Sequence, residues 1–323
     1  MDEFDLIEQI ATRIGKRPDV DLGIGDDAAL LRPPSGQTLV ACCDTLNAGV
    51  HFPVDAAPFD IGWKALAVNL SDLAAMAATP AWVLLSLALP KADAGFVEAF
   101  LDGFCTLADR AGVALVGGDT THGPLSITVT ALGLVPEGQA LRRSGAQVGD
   151  LVCVSGSLGD AAAALHLHHA QVEADTPAAH GLRQRLQRPE PRLALGRSLR
   201  GLASAAIDVS DGLLADLGHI AHASGVGIAL EASALPGSPA LRELFDPAEQ
   251  LRFMATGGDD YELAFCLPPQ QWQRLCEGRN PEDVPLTCIG QVREGEGVIV
   301  QDADGAAVSF PSAGWRHFGG DAA

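Results

Sequence analysis

The chain has 323 residues, 47% of them hydrophobic, and a formal net charge of −20, a length that suits two domains with substantial cores. The charge argues against nucleic acid or an anionic membrane surface as partner, and it requires cations to accompany any phosphorylated ligand. No uninterrupted apolar run reaches membrane-spanning length, and the start Met1-Asp2-Glu3-Phe4-Asp5 lacks the basic opening of a signal peptide, so a cytoplasmic protein is expected.

Phe4 to Ile14 has the spacing of a short amphipathic helix. Thr38 to Cys43 reads as a buried strand that delivers Asp44. Ile61 to Ala78 is alanine-rich and helical, closed by Pro80, and Trp82 to Leu89 is a continuous apolar strand. Phe96, Phe100, Phe104 and Leu107 recur at helical spacing, which predicts a helix over Gly95 to Ala111 with those rings in the core. Val113 to Val116 is a strand ending in Gly117-Gly118-Asp119, and Ser126 to Val135 alternates as a half-exposed strand.

Pro136-Glu137-Gly138 is the boundary candidate, giving domains over 1–137 and 138–323. The second block opens with a strand, Asp150 to Ser155, and a helix after Gly156-Ser157-Leu158-Gly159-Asp160. Val172 to Pro191 mixes charge and proline and is expected to be an exposed insertion. Leu193 to Leu202 is helical and Ala205 to Val209 is a strand, with Ser210 expected to cap a helix over Asp211 to Ala223. Strands follow at Val226 to Glu231 and Ala264 to Leu267. The alternation gives an α/β class with mixed sheets in two blocks.

The chemistry lies in aspartates at or near the ends of apolar runs: Gly25-Asp26-Asp27, Cys43-Asp44-Thr45, Asn69-Leu70-Ser71-Asp72, Gly117-Gly118-Asp119-Thr120 and Asp208-Val209-Ser210-Asp211-Gly212. Taken singly, an aspartate beside glycine is most often a turn residue, and Asp72 near a helix start also suits the helix dipole. Taken together they imply more. Two carboxylates about 4 Å apart repel by about 4 kcal/mol at an effective dielectric near 20, so convergence requires a cation. All-oxygen ligand sets favour Mg²⁺, which commonly arrives with phosphates.

Competing motifs are weak. Gly23-x-Gly25-x-x-Ala28 imitates a dinucleotide loop, but Asp26 and Asp27 would face the pyrophosphate. The only lysines, Lys16, Lys64 and Lys91, sit in no G-x-x-x-x-G-K frame, and the H-R-D and D-F-G kinase strings are absent. Seven scattered cysteines include no CxxC pair, which suits reduced thiols in a cytosolic protein. His166, His168 and His169 suit a solvated helix face better than a metal set. Taken alone, His51 reads as a structural histidine and Arg142-Arg143 divides evenly between phosphate contact and plain exposure.

In order, these blocks resemble the thiamine-monophosphate kinase family. The matching strings are Gly25 to Leu30, Asp44-Thr45-Leu46 with Gly49-Val50-His51-Phe52, Asn69 to Met76, Gly117 to Thr121, Arg143 to Ala146, Asp208 to Leu213, Gly258 to Leu263 and Gly314 to Phe318. The Asp-rich blocks are shared with aminoimidazole ribonucleotide synthetase and selenophosphate synthetase, whereas the strings around His51 and Trp315 are more specific. The resemblance implies a two-domain aminoimidazole ribonucleotide synthetase-like fold and a homodimer in which the N-terminal sheets join. It implies ATP, several Mg²⁺ ions and transfer of the γ-phosphoryl group to thiamine monophosphate. By family role, Asp27, Asp44, Asp72, Asp119, Asp208 and Asp211 are metal ligands. Gly118, Asp119, Arg143 and Ser210 contact ATP, and His51, Glu262 and Trp315 line the thiamine phosphate site. The pattern departs from the family in two places. Cys42 and Cys43 precede Asp44 where relatives often carry Ser or Thr, so only their backbone carbonyls suit Mg²⁺. Asn47 replaces a usually apolar residue. No general base is expected, because the acceptor is an ionised phosphate oxygen. Two alternatives stand beside this reading: another ATP-dependent enzyme of the superfamily, with a different acceptor, and a nucleotide-binding sensor without turnover. The early Cys-Lys loop of selenophosphate synthetase is missing.

Overall fold

A long strand, β3 (Gln37–Asn47), runs the full length of its antiparallel partner β6 (Ser126–Pro136). Residues 10–11, 13, 17–172, 175–280 and 282–315 are described by a computed structural model. Most of the helix expected over Phe4 to Ile14, and Arg316 to Phe318 of the terminal string, lie outside the described residues. The chain divides into two units, Met1–Ala140 and Leu141–Ala323.

In the first unit a short hairpin, β1 (Val20–Leu22) and β2 (Leu30–Leu31), precedes a four-stranded mixed sheet. Its order is β3-β6-β4-β5, with β4 (Thr79–Leu89) antiparallel to β6 and parallel to β5 (Ala114–His122). Helix α1 (Pro58–Ala75) is buried along most of its length, as its alanine-rich apolar run requires. It packs against α2 (Ala94–Ala111), which starts at an Asp93 cap and ends at a left-handed Gly112. The two helices approach through Gly62 and Gly103. A Cβ at Gly62 would lie 2.0 Å from Phe100 O, and one at Gly103 1.9 Å from Phe59 O. Phe100 and Phe104 are stacked and fully buried, which meets the expectation from their spacing.

Two strands run further than their apolar composition suggested. Strand β3 continues through Asp44, and β5 continues through Gly118 and Asp119. The reason is pairing: β6 matches β3 through Asn47, and β4 matches β5 through His122. Strand β3 is not the buried strand expected, because only one of its faces is covered and Leu39, Ala41 and Cys43 are exposed on the other. At Gly118 only glycine fits, because a Cβ would meet Leu85 O at 1.8 Å.

The second unit is built on a seven-stranded mixed sheet of order β13-β12-β9-β11-β7-β10-β8. In chain order its elements are β7 (Leu151–Ser155), α3 (Asp160–His169), α4 (Pro177–Gln187), α5 (Leu193–Ser198), β8 (Ala205–Asp208), α6 (Leu213–Ser224) and β9 (Gly227–Glu231). Then follow α7 (Pro239–Leu244), α8 (Pro247–Thr256), β10 (Leu263–Leu267), α9 (Pro269–Glu277), β11 (Leu286–Arg293), β12 (Gly297–Gln301) and β13 (Ala307–Val308). Val152, Val154, Ile207 and Ala264 on one face of the sheet join Leu158, Leu182, Leu217 and Phe253 in one core.

The stretch Val172 to Pro191 is not the exposed insertion its composition suggested. Thr176 caps α4, whose Ala178, Ala179, Leu182 and Leu186 are buried, because their spacing puts an apolar stripe on a short helix. His166, His168 and His169 are all exposed on α3, as a solvated helix face requires, and His166 lies edge-on to Phe245 and tilted on Phe253.

Candidate functional site

Each unit gathers its own acidic cluster. In the first, Asp44 on β3 faces Asp72 on α1, and their carboxyl groups share a hydrogen bond. Helix α1 reaches β3 through Asn69, one helical turn before Asp72 and fully buried. The Asn69 side chain donates to Ala65 O at 3.1 Å and accepts from the Asp44 backbone N–H at 3.1 Å. Cys42 Sγ donates to Asn69 O at 3.4 Å. Burial pushes the Asp44 carboxyl up, against the hydrogen bond from Asp72 that favours its charged form. Burial, then the charges of Asp72 and Asp44, pushes the Cys42 thiol far up. A neutral thiol beside two carboxyl groups leaves only oxygen donors, a set suited to a hard divalent cation.

The other predicted residues of this unit have distinct placements. Register puts Asp44 in one row with Val129, Leu85 and Gly118, and Asp119 in the next row with Ser86, Thr128 and Thr45. Asp119 and Asp27 are both exposed, and Asp27 N–H is bonded by Asp26 Oδ1 at 2.8 Å. Cys43 is exposed on β3. His51 Nδ1 accepts from Asn47 N–H at 3.0 Å, and His51 N–H donates to Asn47 O at 3.0 Å. This closed loop fixes the ring and leaves Nε2 as the protonated nitrogen of its neutral form. Buried Lys64 donates to His51 O at 3.0 Å. Asn47 itself is exposed, so its loop loses no apolar packing by the replacement. A cavity of about 510 Å³ bordered by Arg17, Asp19, Phe104, Cys105 and Gly112 is lined by none of these site residues.

In the second unit Asp208 ends β8 and is buried, and Asp211 follows in the loop before α6. A residue that the motifs did not single out organises this loop. Asp216 Oδ2 accepts from the backbone N–H groups of Ser210, Asp211 and Gly212, at 3.0, 3.1 and 3.1 Å. Ser210 therefore does not cap the helix: α6 starts at Leu213 after Gly212, and Asp216 reaches back from its first turn to satisfy the free donors. Burial first, then the charges of Asp208 and Asp211, pushes the Asp216 carboxyl up to about 7.

The strand approaching β10 lies along the same loop. Val209 N–H bonds Glu262 O, Tyr261 N–H bonds Val209 O and Asp259 N–H bonds Ser210 O, each at 2.8 Å. These bonds hold Asp259 and Tyr261 in the left-handed region, φ 67° and 50°, against a cost of roughly 1 kcal/mol or more each. Trp315, 56% exposed, is anchored by its N–H to Asp211 O at 2.9 Å. Arg143 has an exposed side chain, and its carbonyl accepts from Ser224 Oγ at 3.3 Å.

Glu262 is fully buried. Ser155 Oγ donates to its Oε2 at 2.6 Å, Arg192 Nε to Oε2 at 2.6 Å and Arg185 Nη2 to Oε1 at 2.8 Å. Asp160 lies 3.7 Å from Arg185, and Asp260 is buried beside them, its carboxyl pushed well up, chiefly by burial. Sequence reasoning missed Arg185 and Arg192, because both fall in or next to the stretch read as an insertion. The visible signal was two arginines flanking the helical stripe of α4.

The chain thus brings Asp44 to Asp72, and Asp208 and Asp211 to Asp216 and Trp315. Among the described residues, no three His, Cys, Asp or Glu side chains are close enough to hold a metal ion. The oxygen donors present still suit a divalent cation: one at Asp44 and Asp72 would offset their like charge, and one at Asp208 and Asp211 would offset the charge that adds to burial in raising Asp216.

The Asp216 shift has a sign that can be tested. A carboxyl whose folded value lies above its unfolded value of about 4 favours the folded state most at low pH. That advantage is lost as pH rises from about 4 through about 7. In chelator, the wild-type chain is expected to lose denaturant stability between pH 4 and pH 8 more steeply than Asp216→Asn. Parallel stability curves for the two proteins would refute the assignment.

The sequence matches the family "AIR synthase related protein, N-terminal domain" over residues 25–135 and its C-terminal domain counterpart over residues 147–303. It is 47% identical over 319 residues to a thiamine-monophosphate kinase of Salmonella typhimurium, covering 98% of each chain. A crystal structure of thiamine-monophosphate kinase from Stenotrophomonas maltophilia K279a superposes with a TM-score of 0.88 and 53% identity, over 95% of this chain and 98% of that one. A structure described as AaThiL complexed with AMPPCP and TMP superposes with a TM-score of 0.79 and 35% identity, over 98% and 96% of the two chains.

Proposed function

We infer the reaction from the family to which the chain belongs, the thiamine-monophosphate kinases within the AIR synthase related proteins. The protein is a phosphotransferase that uses ATP to convert thiamine monophosphate to thiamine diphosphate. The solved relative bound to AMPPCP and TMP supports the pairing of an ATP analogue with that acceptor. The observation within this chain that carries the reading is the pairing of half-buried Asp44 and Asp72, a contact between two carboxyl groups that suits a cation.

The finer assignments are our proposal. Asp27, Asp44, Asp72, Asp119, Asp208 and Asp211 hold Mg²⁺, joined by the backbone carbonyls of Cys42 and Cys43. When bound, Mg²⁺ neutralises phosphate charge and aligns donor with acceptor. Gly118 lets the backbone approach the nucleotide phosphates, and Asp119, Arg143 and Ser210 are assigned to ATP by family role. His51 presents Nε2 toward the acceptor phosphate, and Trp315 stacks on an aromatic ring of thiamine. Glu262 acts from behind the surface: its two arginines neutralise it, and its backbone sets the Asp208–Asp211 loop. The acceptor oxygen is already ionised, so the chain supplies position and charge rather than a base.

We further propose domains over 1–137 and 138–323, a cytoplasmic location and a homodimer. No described helix is long and apolar enough to cross a membrane. Leu39 and Leu84, 50% and 37% exposed on one face of the first sheet, support a second chain covering that face.

The test is a discontinuous assay of the purified chain with ATP, MgCl₂ and thiamine monophosphate, with products separated by chromatography. Equal molar amounts of ADP and thiamine diphosphate are expected, and excess chelator should abolish both. ADP formed without thiamine diphosphate would overturn the acceptor, and turnover unaffected by chelator would overturn the metal.

A further inference from the structure

We propose that Cys153 and Cys288 form a reversible disulfide across β7 and β11, a thiol-oxidation site in the second unit. The two strands are antiparallel neighbours, and Cys288 is the direct register partner of Cys153. Directly opposed residues on such strands point to the same face, with Cα atoms about 4.5–5.5 Å apart. A disulfide closes over Cα separations of about 4.4–6.8 Å, so these two positions need little backbone movement. The two thiols are close enough for each to shift the other's proton affinity, and Cys288 Sγ also donates to Gly290 O at 3.7 Å. The ladder slips between Cys288 and Gly290, where an extra residue loosens the strand and allows it to turn.

The two sulfurs are unequal in a useful way. Cys153 is fully buried and Cys288 is partly exposed. The hydrogen bond from Cys153 pulls the Cys288 thiol down to about 6 against the effect of burial, and the same contact pushes Cys153 up. Cys288 is therefore the sulfur an oxidant meets first, as the thiolate. With a low-molecular-weight disulfide as oxidant, Cys288 attacks one sulfur and releases one thiol. Cys153 then loses its proton, attacks the Cys288 sulfur and releases the second thiol. Two protein thiols are oxidised as one external disulfide is reduced.

Other cysteines do not share this geometry. Cys266 on β10 stands opposite Val152, one residue out of step, and joins the core on the other face of the sheet. Cys276 on α9 is exposed. The pairing matters for the site because Ser155, two residues beyond Cys153 on the same strand face, bonds Glu262. A crosslink at Cys153 pins the strand that carries that support.

The experiment incubates the full chain with glutathione disulfide, alkylates remaining thiols, digests without reduction and maps linked peptides. A Cys153–Cys288 linked pair is expected, lost on dithiothreitol treatment and still formed in Cys276→Ser. Cys288→Ser, at a partly exposed position, should yield no linked pair. Cys153→Ser should retain glutathione on Cys288. Full alkylation of both residues in the oxidised wild type, or their linkage to other cysteines, would overturn the proposal.

Discussion

Asp44→Asn is expected to remove turnover while leaving the chain folded. Asp44 is half-buried against Asp72, and burial raises its carboxyl, so charge at this position is held at a cost. An amide at position 44 keeps the shape and one acceptor but removes the charge that attracts Mg²⁺. If the ion contributes about 4 kcal/mol to the barrier reduction, the loss in kcat is about 10³-fold. Stability should move the other way. Removing one of two apposed carboxyl groups relieves a buried repulsion, so the denaturation midpoint in chelator should hold or rise. Turnover within tenfold of wild type would take Asp44 out of the metal set. A collapsed midpoint would make it a structural residue instead.

Arg185→Ala should be the most destabilising single change in the second unit. Its guanidinium lies among Glu262, Asp160 and Asp260, all of them buried, and also bonds the backbone carbonyls of Ser157 and Asp260. Arg192 would remain on Glu262, but the two aspartates would lose the cation they face. Breaking a buried pair by deleting one partner costs about 3–5 kcal/mol, because the remaining charge stays desolvated. The Asp260 carboxyl is already raised, chiefly by burial and against the pull of Arg185. Without that pull it rises further, so the deficit should widen as pH climbs from about 4. Chemical denaturation of the variant at two pH values checks both the size and the sign. A loss under about 1 kcal/mol would show that the network contributes little.

Legibility differed by element for physical reasons. The stripe Phe96, Phe100, Phe104 and Leu107 was readable because four side chains at helical spacing can share only one face. The extension of β5 through Gly117-Gly118-Asp119 was not, because glycines beside an aspartate signal a turn locally. A neighbouring strand made them sheet. Asp216 was hidden for a related reason: it caps a loop five residues before it, a role set by how α6 folds back and not by any adjacent motif. The stretch Val172 to Pro191 looked solvated because its charges are frequent. Two arginines in and beside it, Arg185 and Arg192, are in fact held by one buried glutamate far along the chain.

The sequence alone determined the α/β class, most of the regular elements and the family. It raised the expectation of cations from the number and setting of its aspartates, since the repulsion they would suffer on meeting depends on residue type. Tertiary structure decided which carboxylates meet. Asp44 finds Asp72 only because Asn69 ties α1 to β3, and Glu262 is neutralised only because α4 and the segment before α5 bring two arginines to it. Pairings of that kind depend on distance and desolvation in the folded chain, and neither quantity is written in the order of residues.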